Sequence, residues 1–256
     1  MLGSKKVVCI IPARLASTRF PEKVLQSLAG KPMLQWVWEA AKKVSLFDEC
    51  HFAIDDVKIA SLLDGFGASW FMTSKSAEAG TDRLIEIMDR KLVVSDIWVN
   101  WQGDEPFINA TMIQDLLQTA AHDGMDVWTL KKLITIKEQI VAPNTAKVVT
   151  DHEGNALYFS RSPVPFYRDH HLEQGVFYKH VGLYAFTTKG LQMMQQLPIG
   201  KLEQAEKLEM LRLLENGIKI RLHETLFEVI GIDTAEDLRH AEIVAQTNNT
   251  SACNQA

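Results

Sequence analysis

Residues 7–23 read Val7-Val8-Cys9-Ile10-Ile11-Pro12-Ala13-Arg14-Leu15-Ala16-Ser17-Thr18-Arg19-Phe20-Pro21-Glu22-Lys23. An apolar run stops at Pro12, and a loop carrying Arg14, Arg19, Lys23 and two small hydroxyl residues follows. A continuous apolar run of this kind suits a strand covered on both faces of a parallel sheet. In open α/β sheets, ligands gather outside the carboxyl ends of the strands. Three cations placed there, beside free backbone N–H groups, suit a polyanion such as a nucleoside triphosphate. Solvated basic surface accounts for the same loop equally well. Neither G-x-G-x-x-G nor G-x-x-x-x-G-K-[ST] occurs, so neither the dinucleotide fingerprint nor the P-loop applies.

The totals set bounds on what surrounds this strand. A chain of 256 residues with 46% hydrophobic residues can bury a substantial core as one α/β domain, or as a domain with a smaller lobe. A formal charge of −5 argues against general attraction to nucleic acid or membrane, so an anionic ligand must be drawn by local basic clusters. Cys9, Cys50 and Cys253 form neither a disulfide framework nor a metal-ligand spacing. No secretion signal is visible, and no apolar run approaches the roughly 20 residues of a membrane helix. The expectation is a cytoplasmic protein without membrane insertion or a nucleic-acid partner.

From β-like residues 7–12 the pattern alternates. Gly30-Lys31-Pro32-Met33 turns into a helix running to about Val44, with Pro32 at an early helical position. His51–Ile54 reads as a second strand, with Asp55 and Asp56 placed to cap the next helix. Ser69–Met72 is a third strand. Gly80-Thr81-Asp82-Arg83 opens a helix through about Asp89, whose start is either a capping turn or a ligand edge. Ile97–Trp101 ends in Gln102-Gly103-Asp104-Glu105-Pro106, where Asp104 is either a turn residue or a carboxylate for Mg²⁺ with phosphates. Asn109–Ala121 is a further helix. This alternation predicts a doubly wound parallel sheet.

Beyond residue 126 strands follow one another: Val127–Lys132, Ala146–Thr150, Ala156–Ser160 and Tyr178–Phe186, with a hairpin turn at Asp151–Asn155. The loop from Arg161 to Val176, with Arg168, His170 and His171, is a lid, a subunit contact or plain surface. Leu202–Glu215 reads as one amphipathic helix with Glu203, Glu206 and Glu209 on a solvated face. Ile218–Leu222 is a last strand. Thr234 and Asp237 form a capping box for the final helix.

Together these segments resemble the CMP-KDO synthetases, the 3-deoxy-manno-octulosonate cytidylyltransferases. Ile11–Arg14 with Ser17, Arg19, Pro21 and Lys23 carries the likeness, as do Gly30–Met33, Gly80–Arg83, Gln102–Pro106, Ala156–Arg161, His180–Tyr184, Leu208–Arg212 and Asp233-Thr234. The resemblance spans about residues 5–245. It implies a doubly wound, mostly parallel Rossmann-like sheet with a smaller mixed or antiparallel lobe, similar to nucleotide-diphospho-sugar transferases. It implies one domain over 1–246: a nucleotide part at about 5–125 and 217–246, an acceptor-sugar and dimerisation lobe at about 126–216, and a polar tail at 247–256.

The implied reaction joins CTP and KDO into CMP-KDO and pyrophosphate with Mg²⁺, in a homodimer serving lipopolysaccharide biosynthesis. By this likeness Pro12, Ala13, Arg14, Ser17, Arg19, Lys23, Gly80, Thr81, Arg83 and Gln102 bind CTP. Arg14, Lys23, Asp104 and Asp233 are catalytic, and Asp104 with Asp233 hold the metal. Arg161, His180, Tyr184 and Glu209 bind the sugar; His180 would otherwise read as a satisfied core histidine. Three departures stand out. Glu22 replaces a glycine of the family loop, Ile54 replaces a threonine, and Met210 replaces a glutamine facing the sugar. They keep two alternatives open: a related acidic sugar such as 8-amino-KDO or a sialic acid, and a weakly catalytic homologue that only binds nucleotide.

Overall fold

The computed structural model describes residues 2–17, 20–169 and 175–253 of the chain. Its first half runs β1 (Val7–Ala13), a short 3-10 turn (Lys23–Leu25), β2 (Ser27–Leu28), β3 (Lys31–Pro32), α1 (Met33–Lys42), β4 (Glu49–Ile54) and α2 (Val57–Asp64). β5 (Trp70–Met72), α3 (Gly80–Asp89), β6 (Ile97–Asn100) and α4 (Ala110–Leu116) follow. The second half runs β7 (Val127–Leu133), α5 (Glu138–Val141), β8 (Lys147–Thr150), β9 (Ala156–Ser160), β10 (Tyr178–Thr187) and α6 (Thr188–Gln196). It closes with α7 (Lys201–Glu206), α8 (Leu211–Glu215), β11 (Arg221–Glu224) and α9 (Ala235–Cys253).

β1 sits inside a sheet ordered β11-β7-β10-β6-β1-β4-β5, paired in parallel with β4 on one side and β6 on the other. Both of its faces are covered. Val7, Cys9 and Ile11 enter one core cluster, and Val8 and Ile10 enter the other. That is why the run is apolar without alternation. Along the sheet path only β10 runs against the rest: it is antiparallel to β6 and β7, while β11 lies parallel to β7. The sheet is therefore mostly parallel, and the β8–β9 hairpin hangs off β10. The strand series after residue 126 thus adds to the same sheet.

β10 carries a bulge between Val181 and Tyr184. The Thr129 hydroxyl of β7 lies 3.0 and 2.9 Å from the Val181 and Leu183 carbonyls, so its one proton is shared between two acceptors of the interrupted ladder. Here His180, Val181 and Gly182 line a large cavity described below.

Several expected elements shift. Pro32 lies outside α1, as its N-cap in a two-residue bridge with Ser27. Asp56 caps α2, accepting from the Lys58 amide at 2.9 Å, whereas Asp55 turns elsewhere. The last strand is Arg221–Glu224 instead of 218–222. The largest difference is at 202–215. Here the chain breaks at Lys207, which takes a left-handed conformation (φ 53°, ψ 46°). The break lets Leu208, Met210, Leu211 and Leu213 all enter the second core cluster. One continuous helix could not turn that sequence of positions to a single face. The three acids read as a solvated face consequently find protein partners. Glu203 holds Arg212 through two bonds of 2.7 and 2.6 Å. Glu206 accepts from the Ser160 hydroxyl and the Arg161 amide, at 2.7 and 2.8 Å. Glu209 turns inward. The Thr234–Asp237 capping box at the start of α9 forms as the sequence indicates.

Candidate active site

The carboxyl ends of β1 and β6 and the start of α3 surround a polar cavity of about 170 Å³. Pro12, Arg14, Lys23, Gly80, Arg83, Gln102, Asp104 and Asp233 line it. Two glycines make its tightness possible. A Cβ on Gly103 would lie 2.8 Å from the Pro12 carbonyl oxygen, and one on Gly80 would lie 2.9 Å from Gln102 Nε2. The Gly103 amide donates to the Pro12 carbonyl at 3.1 Å, locking the turn after β6 to the end of β1.

At the centre, Lys23 Nζ donates to Asp104 Oδ2 at 2.5 Å and to Asp233 Oδ1 at 2.7 Å. Burial opposes the charge on Lys23, but the two carboxylates outweigh it and raise the pKa of the ammonium. The Asp104 carbonyl also accepts from the Ile232 amide at 2.9 Å, tying the two acid-bearing loops together.

The wall is built from a polar chain. Gln102 Nε2 donates to Asn100 Oδ1 at 2.9 Å, Asn100 Nδ2 to Thr81 Oγ1 at 3.3 Å, and Thr81 Oγ1 to Glu209 Oε2 at 3.0 Å. Arg83 reaches the cavity with its guanidinium already engaged: by Asp55 at 2.9 Å, Thr73 Oγ1 at 2.6 Å and the Ser74 carbonyl at 3.1 Å. Asp55 also accepts from the Leu15 amide at 2.9 Å, so one buried acid fixes both α3 and the loop after β1. Arg14 donates to the Glu78 carbonyl at 3.3 Å. Ala13 is buried against Gly103. Ser17 lines a separate neighbouring cavity with Glu22 and Asp55. Arg19 lies outside the described residues, as do His170 and His171. Glu22, at φ 51°, directs its carboxylate to Lys58 Nζ at 2.6 Å, so its charge is countered away from the Lys23 cluster.

A second cavity, of about 870 Å³, opens beside the first, and Asp233 lines both. Arg161, His180, Glu209 and Met210 line it. Arg161 donates to the carbonyls of Glu206 (2.6 Å), Pro143 (2.7 Å) and Lys207 (3.2 Å), which fixes the orientation of its fork. His180 Nε2 lies 2.7 Å from the Tyr184 hydroxyl and 3.2 Å from Thr129 Oγ1. Burial pushes the His180 imidazole down to about 3, so it stays neutral at working pH. Burial also pushes the Glu209 carboxyl up to about 7, against the Thr81 hydrogen bond, and its Oε1 is buried without a partner.

Reasoning from sequence did not single out Glu105. It lines the second cavity; burial, reinforced by Asp104 and Asp233, pushes its carboxyl up to about 8, and its Oε2 is buried without a partner. The signal was present in Gln102–Pro106, where a second acid follows Asp104 at a strand end. Asp55 was read as a helix cap instead of a partner of Arg83, and the Lys179–Glu228 ion pair beside the second cavity has no local signal in the sequence.

A sheet whose strand ends carry a cation-bridged acid pair, one acid of which lines both a small polar cavity and a larger one, fits a nucleotidyltransferase-type α/β enzyme. The comparisons agree. The cytidylyltransferase family model matches residues 8–220, and the chain belongs to that family. It is 47% identical over 242 residues to the 3-deoxy-manno-octulosonate cytidylyltransferase of Geobacter sulfurreducens, covering 91% of this chain and 96% of that protein. The enzyme of the same name from Thermodesulfovibrio yellowstonii is 42% identical over 245 residues, covering 92% and 96%. Among solved structures, CMP:2-keto-3-deoxy-manno-octonic acid synthetase complexed with CTP superposes with a TM-score of 0.89 at 40% identity, covering 95% of this chain and 99% of that one. The 4-diphosphocytidyl-2C-methyl-D-erythritol synthase of Anaerococcus prevotii shares the fold at 15% identity, with a TM-score of 0.64 over 96% and 98% of the chains. Among the described residues no helix is long and apolar enough to cross a membrane.

Proposed function

We propose that this enzyme transfers CMP from CTP to 3-deoxy-D-manno-octulosonate, releasing pyrophosphate, and so activates the sugar for lipopolysaccharide biosynthesis. The observation that carries the reading is the meeting of the two cavities at Asp233, beside Lys23 and Asp104. The smaller cavity takes the nucleotide and the larger the acidic sugar. The sugar's anomeric hydroxyl oxygen bonds to the α-phosphorus and gives up its proton to solvent as the bond to the β-phosphate oxygen breaks, and pyrophosphate leaves with those electrons.

The chain's own groups divide this work. Arg14 and Lys23 offset the charge of the phosphates, and α3 presents its first amides from Gly80. Gln102 and the Asn100–Thr81 chain present hydrogen-bonding edges to the base and ribose, and a base that leaves them unpaired is rejected. Arg161 faces the sugar carboxylate with a fork held by three carbonyls. Neutral His180, Tyr184 and Glu209 take the sugar hydroxyls.

Asp104 and Asp233 suit Mg²⁺. One small cation already touches both carboxylates, and among the described residues no set of three His, Cys, Asp or Glu side chains converges. A cation held by two acids and completed by phosphate oxygens and water is the usual Mg²⁺ arrangement. When bound there it would neutralise phosphate charge next to the reacting phosphorus.

The reading includes a cytoplasmic homodimer working on two small molecules. Support for the dimer comes from exposed Phe166 and Val176 in the loop after Arg161, and from exposed Leu133, which pairs with Tyr178 just beyond that loop. Pyrophosphate release from CTP with KDO tests the reaction. Asp104→Asn is expected to abolish it, and full activity in that variant would refute the role of the acid pair. A related acidic sugar is the second reading, favoured by apolar Met210 in the wall of the larger cavity. A panel of octulosonates and nonulosonates separates the two, and CTP binding without turnover of any would leave a nucleotide-binding homologue.

A further inference from the structure

The roles just assigned put two cations in one place. Lys23 Nζ lies 2.5 Å from one carboxylate and 2.7 Å from the other, and its side chain is 11% exposed. An ammonium that touches both oxygens fills the space between them. A divalent cation bonded to the same two acids at about 2.0–2.1 Å needs that space, and two cations cannot share it. The carboxylates, in turn, repel each other, and a positive charge between them offsets that repulsion. We propose that Lys23 is a built-in substitute for the metal. Its ammonium keeps the Asp104–Asp233 seat assembled and closed to free divalent cations, and the triphosphate draws it off the acids, opening the seat to a cation that arrives with the nucleotide.

The backbone permits such an exchange without rearrangement. Lys23 begins a 3-10 turn fastened by the Leu25 amide to Glu22 at 2.9 Å and the Gln26 amide to the Lys23 carbonyl at 3.1 Å. Only the flexible four-carbon stem has to swing. Its destination is close, because Lys23, Arg14 and Gly80 line the same small cavity as the acids. Phosphates placed there offer the ammonium new oxygens as it leaves the old ones. The exchange makes metal and nucleotide binding mutually dependent, although the metal seat is complete before either arrives. It rests on the assignment of Asp104 and Asp233 as that seat.

Binding of Mn²⁺, read by loss of its free EPR signal, tests the exchange apart from activity. The unaltered chain is expected to bind Mn²⁺ weakly alone and at least tenfold more tightly with CTP present. Lys23→Gln, which removes the charge at similar length, is expected to bind Mn²⁺ alone at least tenfold more tightly than the parent. Adding Asp104→Asn to it should erase the gain. Lys23→Arg keeps a cation on the acids and should stay weak. Unchanged Mn²⁺ affinity in Lys23→Gln, with CTP-dependent binding still abolished by Asp104→Asn, would overturn the substitute and leave the seat standing. Retained CTP-dependent binding in Asp104→Asn would overturn the seat itself. Should Lys23→Gln fail to fold, NMR of ¹³Cε-labelled lysine in the unaltered chain decides. The Lys23 signal should move with Mg²⁺ and CTP together and stay still with Mg²⁺ alone at the same concentration. Movement with Mg²⁺ alone would refute the closed seat.

Discussion

Single buried charges decide much of this molecule's behaviour. Glu209 is held in its acid form, its pKa raised by burial from 4.5 to about 7. The folded chain therefore keeps a proton that the unfolded chain releases from about pH 4.5 upward. Stability from this group is complete below that point, falls as pH climbs, and levels off above about 7. The loss amounts to about 3 kcal/mol. Glu209→Gln cannot ionise, so its melting temperature should gain on the parent's between pH 4.5 and 7.5. A constant difference across that range would show that Glu209 does not titrate there. Asp55 poses the opposite case. It is 8% exposed and pairs with Arg83, which is 2% exposed. Asp55→Ala would strand a buried guanidinium and free the Leu15 amide, at a cost of about 3–5 kcal/mol, measurable by urea denaturation. A loss below 1 kcal/mol would mean that water replaces the carboxylate. The sequence placed Asp55 as a capping residue beside Asp56. Nothing local distinguishes the two, since what separates them is Arg83, 28 residues away.

Among elements, those legible in the sequence are those whose local pattern and tertiary setting agree. β1 shows because burial on both faces demands apolar residues at every position, and α3 because Gly80 and Asp82 mark a start that packing leaves alone. Residues 202–215 mislead because their helical propensity is real and tertiary packing overrides it at one residue. A non-glycine residue in the left-handed region costs about 1 kcal/mol or more. Lys207 accepts that cost so that Leu208 and Met210 reach the core and Glu209 reaches Thr81. Lys207→Gly should thus stabilise the fold by up to about 1 kcal/mol, while Lys207→Val should destabilise it by about 1–2 kcal/mol. Thermal melts of the two variants check this. The reverse order would mean that residues 201–215 straighten when the corner is strained.

Over the whole molecule, the site is a product of topology. Lys23 stands 81 residues from Asp104 and 210 from Asp233, and no spacing rule connects such positions. Composition and periodicity supplied the strand ends and set Asp104 facing the basic loop; likeness to a family added Asp233 to the pair. The same topology bears on how the two halves cohere. β10, from the second half, pairs with β6 of the first along Tyr184–Thr187, and with β7 and β8 of its own half. β11 returns late in the chain to pair with β7, and α9 packs Ala241 into the core cluster that holds Val7 and Ile11. Separating the first half of the chain from the second would strip the β6–β10 ladder and open both core clusters at once. Calorimetry should therefore give one unfolding transition, with van't Hoff and calorimetric enthalpies in agreement. CTP with Mg²⁺ should move that transition upward as a unit, by an amount that grows with the logarithm of ligand concentration once the site is saturated. If the halves were independent, two transitions would resolve and nucleotide would shift only one. That outcome would break the link between sheet continuity and cooperativity on which the single-domain reading depends.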